Sequence, residues 1–195
     1  MMQPKHPTNT ASPSAPNHAE HFDGIETRGS AIEGLGVFAT RAFATEERIL
    51  RFDHSDQIGP DRPFRPDLGE REAYVDQIAG GVEIYLPAPG RHVNSSCDPS
   101  ARVRWDNGEC WAVAKRPIKA GEEITVDYVI ATHNYEDLPC HCGTARCRGV
   151  IPGSVFKLGD DWLREYEPLM AEWFIRENRA EYRAMCARLG LTPRV

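Results

Sequence analysis

Long apolar runs are missing from this 195-residue chain. The longest uninterrupted ones have only a few residues, so no segment is suited to crossing a bilayer and no membrane role is expected. The N-terminus lacks the apolar stretch of a secretory signal, and a cytoplasmic, reducing setting is expected. Lysine is scarce, four residues against nineteen arginines, and the net charge is −6. That balance offers no general attraction to nucleic acid or to an anionic membrane. Cysteine is limited to six residues, which in a reducing compartment are expected to remain thiols rather than pair as disulfides. The rest, 41% hydrophobic and 27% charged, reads as one ordinary globular domain with an elaboration.

Residues 1–22 are rich in Pro, Thr, Ser, Asn and His. So few apolar side chains cannot offset the entropy of ordering, and a disordered tail is expected, with His6, His18 and His21 solvated in it. From residue 23 the texture changes. Short β-like runs appear at 36–40, 48–52, 81–86, 101–106, 110–116 and 123–129, mostly separated by Gly, Pro, Asp or Asn. They predict a mainly β domain with tight turns. The stretch 66–79 predicts one short helix within it. Beyond residue 159, Trp162, Tyr166, Leu169, Trp173, Tyr182, Met185 and Leu189 recur at three- and four-residue steps, which predicts helices. Pro168 is expected to open the second of these, since proline is tolerated in a first turn.

Three of the six cysteines crowd into "CHCGTARCRG", residues 140–149. Cys140, Cys142 and Cys147 put three soft ligands on one tight loop, a donor set that suits zinc, and a closed structural zinc site needs four ligands. His141 is expected to face outward, because its neighbours already aim at one centre. Cys110 in a predicted strand and Cys186 in a predicted helix read as small buried hydrophobes. Cys97 lies in "RHVNSSCDPSARV", an irregular loop that is free to turn its thiol toward a metal. It is the expected fourth ligand.

At this point four motifs stand in order along the chain. Residues 91–103 resemble the "R-F-I-N-H-S-C-x-P-N" signature of SET-domain protein lysine methyltransferases. "EGLGVFAT", 33–40, is similar to that family's "G-x-G-V-F-A", and "GEEITVDY", 121–128, to its "G-E-E-L-x-x-D-Y". The cysteine loop resembles the family's post-SET zinc motif, whose fourth ligand is the Cys of "N-H-S-C", here Cys97. The resemblance implies small curved β-sheets around a pseudoknot. It divides the chain into a SET domain at 23–135, a post-SET segment at 136–152 and a helical extension at 153–195.

The same resemblance implies an activity: transfer of a methyl group from S-adenosylmethionine to the side-chain amine of a lysine in a protein substrate. Tyr128 matches the catalytic tyrosine, expected to orient the amine through position and dipole, and Tyr85 is a candidate wall of the lysine channel. Gly34, Leu35 and Gly36 would lie against the donor, with Arg91, Asn94 and Ser95 near its methionine and adenine ends. Arg28 is a further candidate for its carboxylate. Asp127 is expected to support the backbone. Two departures stand out: Ser95 replaces the usual His and Ser100 the usual Asn. They leave an alternative in which the chain is a weak or inactive SET domain that binds peptides or partners. Val103 and Val126, at positions that bias the number of methyls, are not aromatic. The segment 53–80, where the family varies its substrate groove, reads as short and loop-like. An exposed aromatic stripe on the C-terminal helices, around Trp162, Trp173 and Phe174, would serve a dimer; packed inward it would cover the core.

Overall fold

In this computed structural model, which describes residues 23–195, short strands dominate up to residue 151 and helices follow. The predicted tail 1–22 lies outside the described residues. In chain order the strands are β1 (Ile25–Gly29), β2 (Leu35–Ala39), β3 (Arg48–Phe52), β4 (Val75–Ile78), β5 (Val82–Tyr85), β6 (Asn94–Ser95), β7 (Ala101–Asp106), β8 (Glu109–Ala114), β9 (Glu123–Val126), β10 (Leu138–Pro139) and β11 (Val150–Ile151). The helices are α1 (Asp160–Tyr166), α2 (Glu172–Glu177) and α3 (Arg179–Leu189).

The turn between β7 and β8 shows how local sequence sets this architecture. Asn107 and Gly108 both take positive φ, 51° and 84°. That geometry matches the strand twist of a two-residue hairpin, and Asn-Gly adopts it at least cost. β3 joins on the far side, giving a sheet of order β3-β8-β7. A second sheet runs β1-β2-β9-β6, antiparallel except for the parallel pairing of β6 with β9. β4–β5 and β10–β11 are isolated hairpins.

Two buried clusters result. One fills the space between the sheets with aliphatic residues such as Val37, Leu50, Ile124 and Val126. The other lies under the helices and the cysteine loop and includes Cys97, Val129, Leu163, Tyr166, Phe174 and Tyr182.

Three expectations are corrected. Residues 66–79 do not form a helix. They make two 3-10 turns, Pro66–Leu68 and Glu72–Tyr74, and then enter β4. Ion pairs pin this segment instead: Glu70, nearly buried, takes Arg62 and Arg65 together. The Pro-flanked turn and a strand register with β5 outweigh helical propensity there. Pro168 does not start a second helix; it sits in a 3-10 turn, Glu167–Leu169, that ends α1, and α2 begins at Glu172. Tyr128 does not close a strand: β9 stops at Val126 and a 3-10 turn, Tyr128–Ala131, follows, capped by the Asp127 carboxylate accepting from Val129 N.

The aromatic residues of the helices pack inward. Phe174 stacks on Phe156, Trp173 meets Trp105 edge-on, and Trp162 lies under Arg146 and Arg148. They form the covering layer over the core, and a dimer draws no support from them.

Candidate functional site

The loop 94–100 and β9 hold each other at several points. Asn94 and Ser95 pair alongside Thr125 and Val126, and Ser96 N donates to Val126 O at 2.8 Å. Farther along the loop, Ser100 Oγ donates to Glu123 O and accepts from Thr125 N, both at 3.0 Å. These bonds join the two segments between which the resemblance implies a threaded crossing. Ser100 does the bracing expected of a longer amide.

The glycine loop is fixed by a carboxylate the sequence reading had not singled out. Glu123 accepts from Ser30 Oγ at 2.8 and 2.9 Å and from Asn94 Nδ2 at 2.8 Å. Asn94 Nδ2 also reaches the carbonyls of Glu33 and Leu35, at 3.2 and 3.1 Å. A Cβ on Gly36 would stand 2.3 Å from Glu123 Oε1, so only glycine lets that carboxylate approach. Gly34 O closes the turn by accepting from Ser30 N, while the Leu35 side chain is left exposed. The signal for Glu123 was its place as the last residue of "GEE", where it opens β9.

Tyr128 stands at the end of this assembly. The residue is 45% exposed, yet its hydroxyl donates to Val93 O at 2.6 Å. Its N–H donates to Ser95 Oγ at 3.3 Å, so the residue that departs from the family pattern now holds the tyrosine's backbone. Burial, then the carboxylates of Asp76 and Glu123, push the phenol up to about 12. It keeps its proton at neutral pH and acts as a dipole.

The four cysteines chosen from sequence come together. The Sγ atoms of Cys97, Cys140, Cys142 and Cys147 all lie within 4.8 Å of one another, with Cys97 and Cys140 at 3.6 Å. Four thiolates about 2.3 Å from a tetrahedral zinc would stand roughly 3.8 Å apart, so the donor set fits that ion. Backbone N–H groups of Arg148, Gly149 and Cys97 point at the sulfurs of Cys97, Cys147 and Cys142, at 3.4, 3.4 and 3.5 Å, as suits anionic sulfur. Burial and the neighbouring thiols push Cys140 up to about 12. Against the opposing effect of burial, the Thr144 hydroxyl and the Cys97 N–H bring Cys142 down to about 6. His141 is exposed, and Cys110 and Cys186 are buried elsewhere, in β8 and α3.

With this geometry in hand, residues 34–129 match the family model described as SET domain. The chain carries a SET domain. Over 143 residues, 67% of the chain, it is 34% identical to the histone-lysine N-methyltransferase ash1 of Drosophila melanogaster. Over 145 residues, 65% of the chain, it is 42% identical to a histone-lysine N-methyltransferase of Candida albicans described as H3 lysine-36 specific. The matched parts are only 6% and 16% of those two proteins. Among solved structures, KRYPTONITE in complex with mCHG DNA and SAH is 19% identical over 65% of this chain and 28% of its own, with a TM-score of 0.48.

The remaining candidates, all but Arg28 within the matched residues 34–129, find varied places. Arg91 donates to His92 Nε2 at 3.2 Å and lies 5.1 Å from the Tyr74 ring. Burial and then Arg91 lower the His92 pKa, leaving a neutral acceptor. Tyr85 meets Tyr74 edge-on at 6.3 Å, and Tyr74 meets His92 at 5.7 Å. Tyr85 thus connects toward Tyr128 through Tyr74, His92 and Val93, and Tyr74 is an aromatic that sequence reasoning missed. Arg28 donates to Gly121 O at 3.1 Å and covers Phe38, which engages it as a latch between β1 and the turn before β9. Val126 is inside the β core and Val103 packs against it. No helix among the described residues is long and apolar enough to cross a membrane.

Proposed function

We propose that this chain is an S-adenosylmethionine-dependent protein lysine N-methyltransferase with one structural zinc held by Cys97, Cys140, Cys142 and Cys147. The observation that carries the reading is the convergence at Tyr128. The glycine loop, braced by Asn94 and Glu123, and the Val93–Ser95 backbone that holds Tyr128 belong to one assembly. The relatives are named histone-lysine N-methyltransferases, which favours a lysine in a basic, histone-like protein segment as the acceptor.

When bound, S-adenosylmethionine supplies an electrophilic methyl on a sulfonium. The chain has to align the acceptor amine in line with that methyl, keep the amine neutral and exclude water. Main-chain groups of Gly34, Leu35 and Gly36 would lie against the donor, with Arg91, Asn94 and Ser95 at its polar ends. The Tyr128 hydroxyl, its one proton donated to Val93 O, would accept from an N–H of the acceptor amine and so turn the nitrogen lone pair toward the methyl. Being uncharged, it gives no carboxylate-like partner that would hold the lysine as an ammonium. Tyr85, with Tyr74, would wall the channel. The alternative of a non-catalytic binding module drew on Ser95 and Ser100, and both hydroxyls are engaged within the assembly.

The test is incubation with labelled methyl donor and either purified core histones or a cell lysate. Wild type is expected to label lysine. Tyr128→Phe keeps the ring and removes one oriented dipole, so turnover should fall about 100- to 1000-fold with the donor dissociation constant nearly unchanged. Firm donor binding without turnover on any protein would move the reading to the binding module.

A further inference from the structure

Asp127 and Tyr128 are adjacent in sequence and opposite in surroundings. The Asp127 side chain is 3% exposed and accepts from four donors. Arg148 grips it with both terminal nitrogens, Nη1 to Oδ2 at 2.8 Å and Nη2 to Oδ1 at 2.9 Å. Tyr166 Oη donates to Oδ2 at 2.5 Å, and Val129 N to Oδ1 at 3.3 Å. A carboxylate has about four lone-pair sites, so this one is saturated and its direction is fixed. Since the backbone on both sides of Tyr128 hangs from the same residue, fixing Asp127 fixes where the tyrosine ring points.

The donors come from different parts of the chain. Arg148 follows the last cysteine of the cluster, and Tyr166 ends α1, in the helical extension beyond the matched SET residues 34–129. Tyr166 is 1% exposed. A ring there needs only to fill space, a task phenylalanine would do without burying a hydroxyl. The hydroxyl makes sense through its one partner: facing an acceptor-only carboxylate, it must donate. Trp162 seals the pair, edge-on to Tyr166 at 5.5 Å and 4.6 Å from the Arg148 guanidinium.

We propose that Tyr166, with Arg148, is a positioning residue for Tyr128, so that α1 of the C-terminal extension completes the active site. The proposal rests on the reading of Tyr128 given above. Loss of the Tyr166 hydroxyl leaves Asp127 a missing donor and room to rotate, and small misplacements of a reacting group cost rate steeply.

The experiment compares Tyr166→Phe with Ile175→Val, a buried α2 position outside the hydrogen bonds of Asp127, and reads two quantities. With core histones as acceptor, Tyr166→Phe should lower kcat about tenfold while KM and the dissociation constant of S-adenosylhomocysteine change less than about twofold. Ile175→Val should lower thermal stability and leave kcat in place. In parallel, hydrogen exchange of the Tyr128, Val129 and Ile130 amides should quicken in Tyr166→Phe relative to the β7–β8 amides. Arg148→Lys, which keeps the charge and loses the two-pronged grip, should act in the same direction if Tyr166→Phe does not fold. An unchanged kcat, or an equal loss in Ile175→Val, overturns the proposal, as does unchanged exchange at residues 128–130. If wild type methylates nothing, the reading of lysine methylation fails instead, and the exchange measurement alone then decides whether Tyr166 positions Tyr128.

Discussion

The two buried clusters among the described residues share apolar packing but differ in what is added to it. The one between the sheets is aliphatic, with Val37, Leu50, Ile124 and Val126 at 5% exposure or less, and its ionic contacts, such as Arg48–Asp106 and Arg104–Glu46, lie on the outside. Burial of this kind is non-directional and tolerates change in small steps. The cluster under the helices contains two of the four grouped cysteines, several aromatic rings and, beside them, the Asp127–Arg148 pair. To its apolar packing this cluster adds contacts that are directional, and each of those depends on the others. Val126 belongs to the first cluster and Val129 to the second. Tyr128 sits on the seam, and takes its backbone hold from one side and its carboxylate neighbour from the other.

Metal removal should separate the two most strongly. Structural zinc contributes on the order of 10–16 kcal/mol in small finger peptides, and here it would be confined to one half. The pure protein should contain one zinc per chain. A strong chelator should strip amide protection from residues 138–151 and from α1–α3 while β7, β8 and β9 keep theirs. Chelation that melts both halves in a single step would erase the distinction. An absence of zinc from the purified protein would remove its basis.

Next in size is Asp127→Ala. Removing one partner of a buried pair strands the other charge, which typically costs 3–5 kcal/mol, and Arg148 has no alternative carboxylate among its bonds. In the aliphatic half, Ile124→Val deletes one buried methylene and should cost only about 0.5–1.5 kcal/mol. Urea unfolding of both variants checks the contrast. Equal losses would mean that the helical half is no more brittle than the sheets.

These two halves were unequally visible in the sequence. The β runs at 48–52 and 101–106 coincide with β3 and β7, because alternating side chains between turn residues are a local signal. The cysteine loop offered three thiols by its spacing, and Cys97 was chosen as the fourth from its irregular surroundings; the four sulfurs do lie together. The strands β1, β6, β10 and β11 passed unnoticed. Two of them are exposed or nearly so and three are only two residues long, so their identity comes from a partner strand rather than from their own composition. Tyr166 was read as a packing residue at a helical step, and its buried face is indeed the expected one. That its hydroxyl reaches Asp127, 39 positions away, is a tertiary fact that no periodicity encodes. The same holds for Glu123, whose carboxylate explains Gly36 only once β9 lies beside β2.

The smallest effect concerns the outer edge of the seam. Glu165 on α1 takes Lys115, just past β8, and Arg146, in the cysteine loop, each at 2.7 Å. The Arg146 hydrogen bond, opposed by burial and reinforced by Lys115, holds its carboxyl down at about 2, against an ordinary value of 4.5. A carboxylate depressed in this way stabilises the folded state above its unfolded value and loses that contribution as pH falls through the folded one. The stabilisation is therefore complete at neutral pH, declines below about 4.5 and is gone near 2. With the side chain 31% exposed, water and salt screen the pair, and the whole contribution should not exceed about 1 kcal/mol. Urea midpoints of wild type and Glu165→Gln should differ by that amount at pH 7, and 1 M salt should shrink the gap. The gap should close on acidification, and metal release in acid acts on both proteins, so only their difference is read. A gap that is insensitive to salt, or that widens as pH falls, would show that Glu165 does not tie the helical half to the sheets through charge.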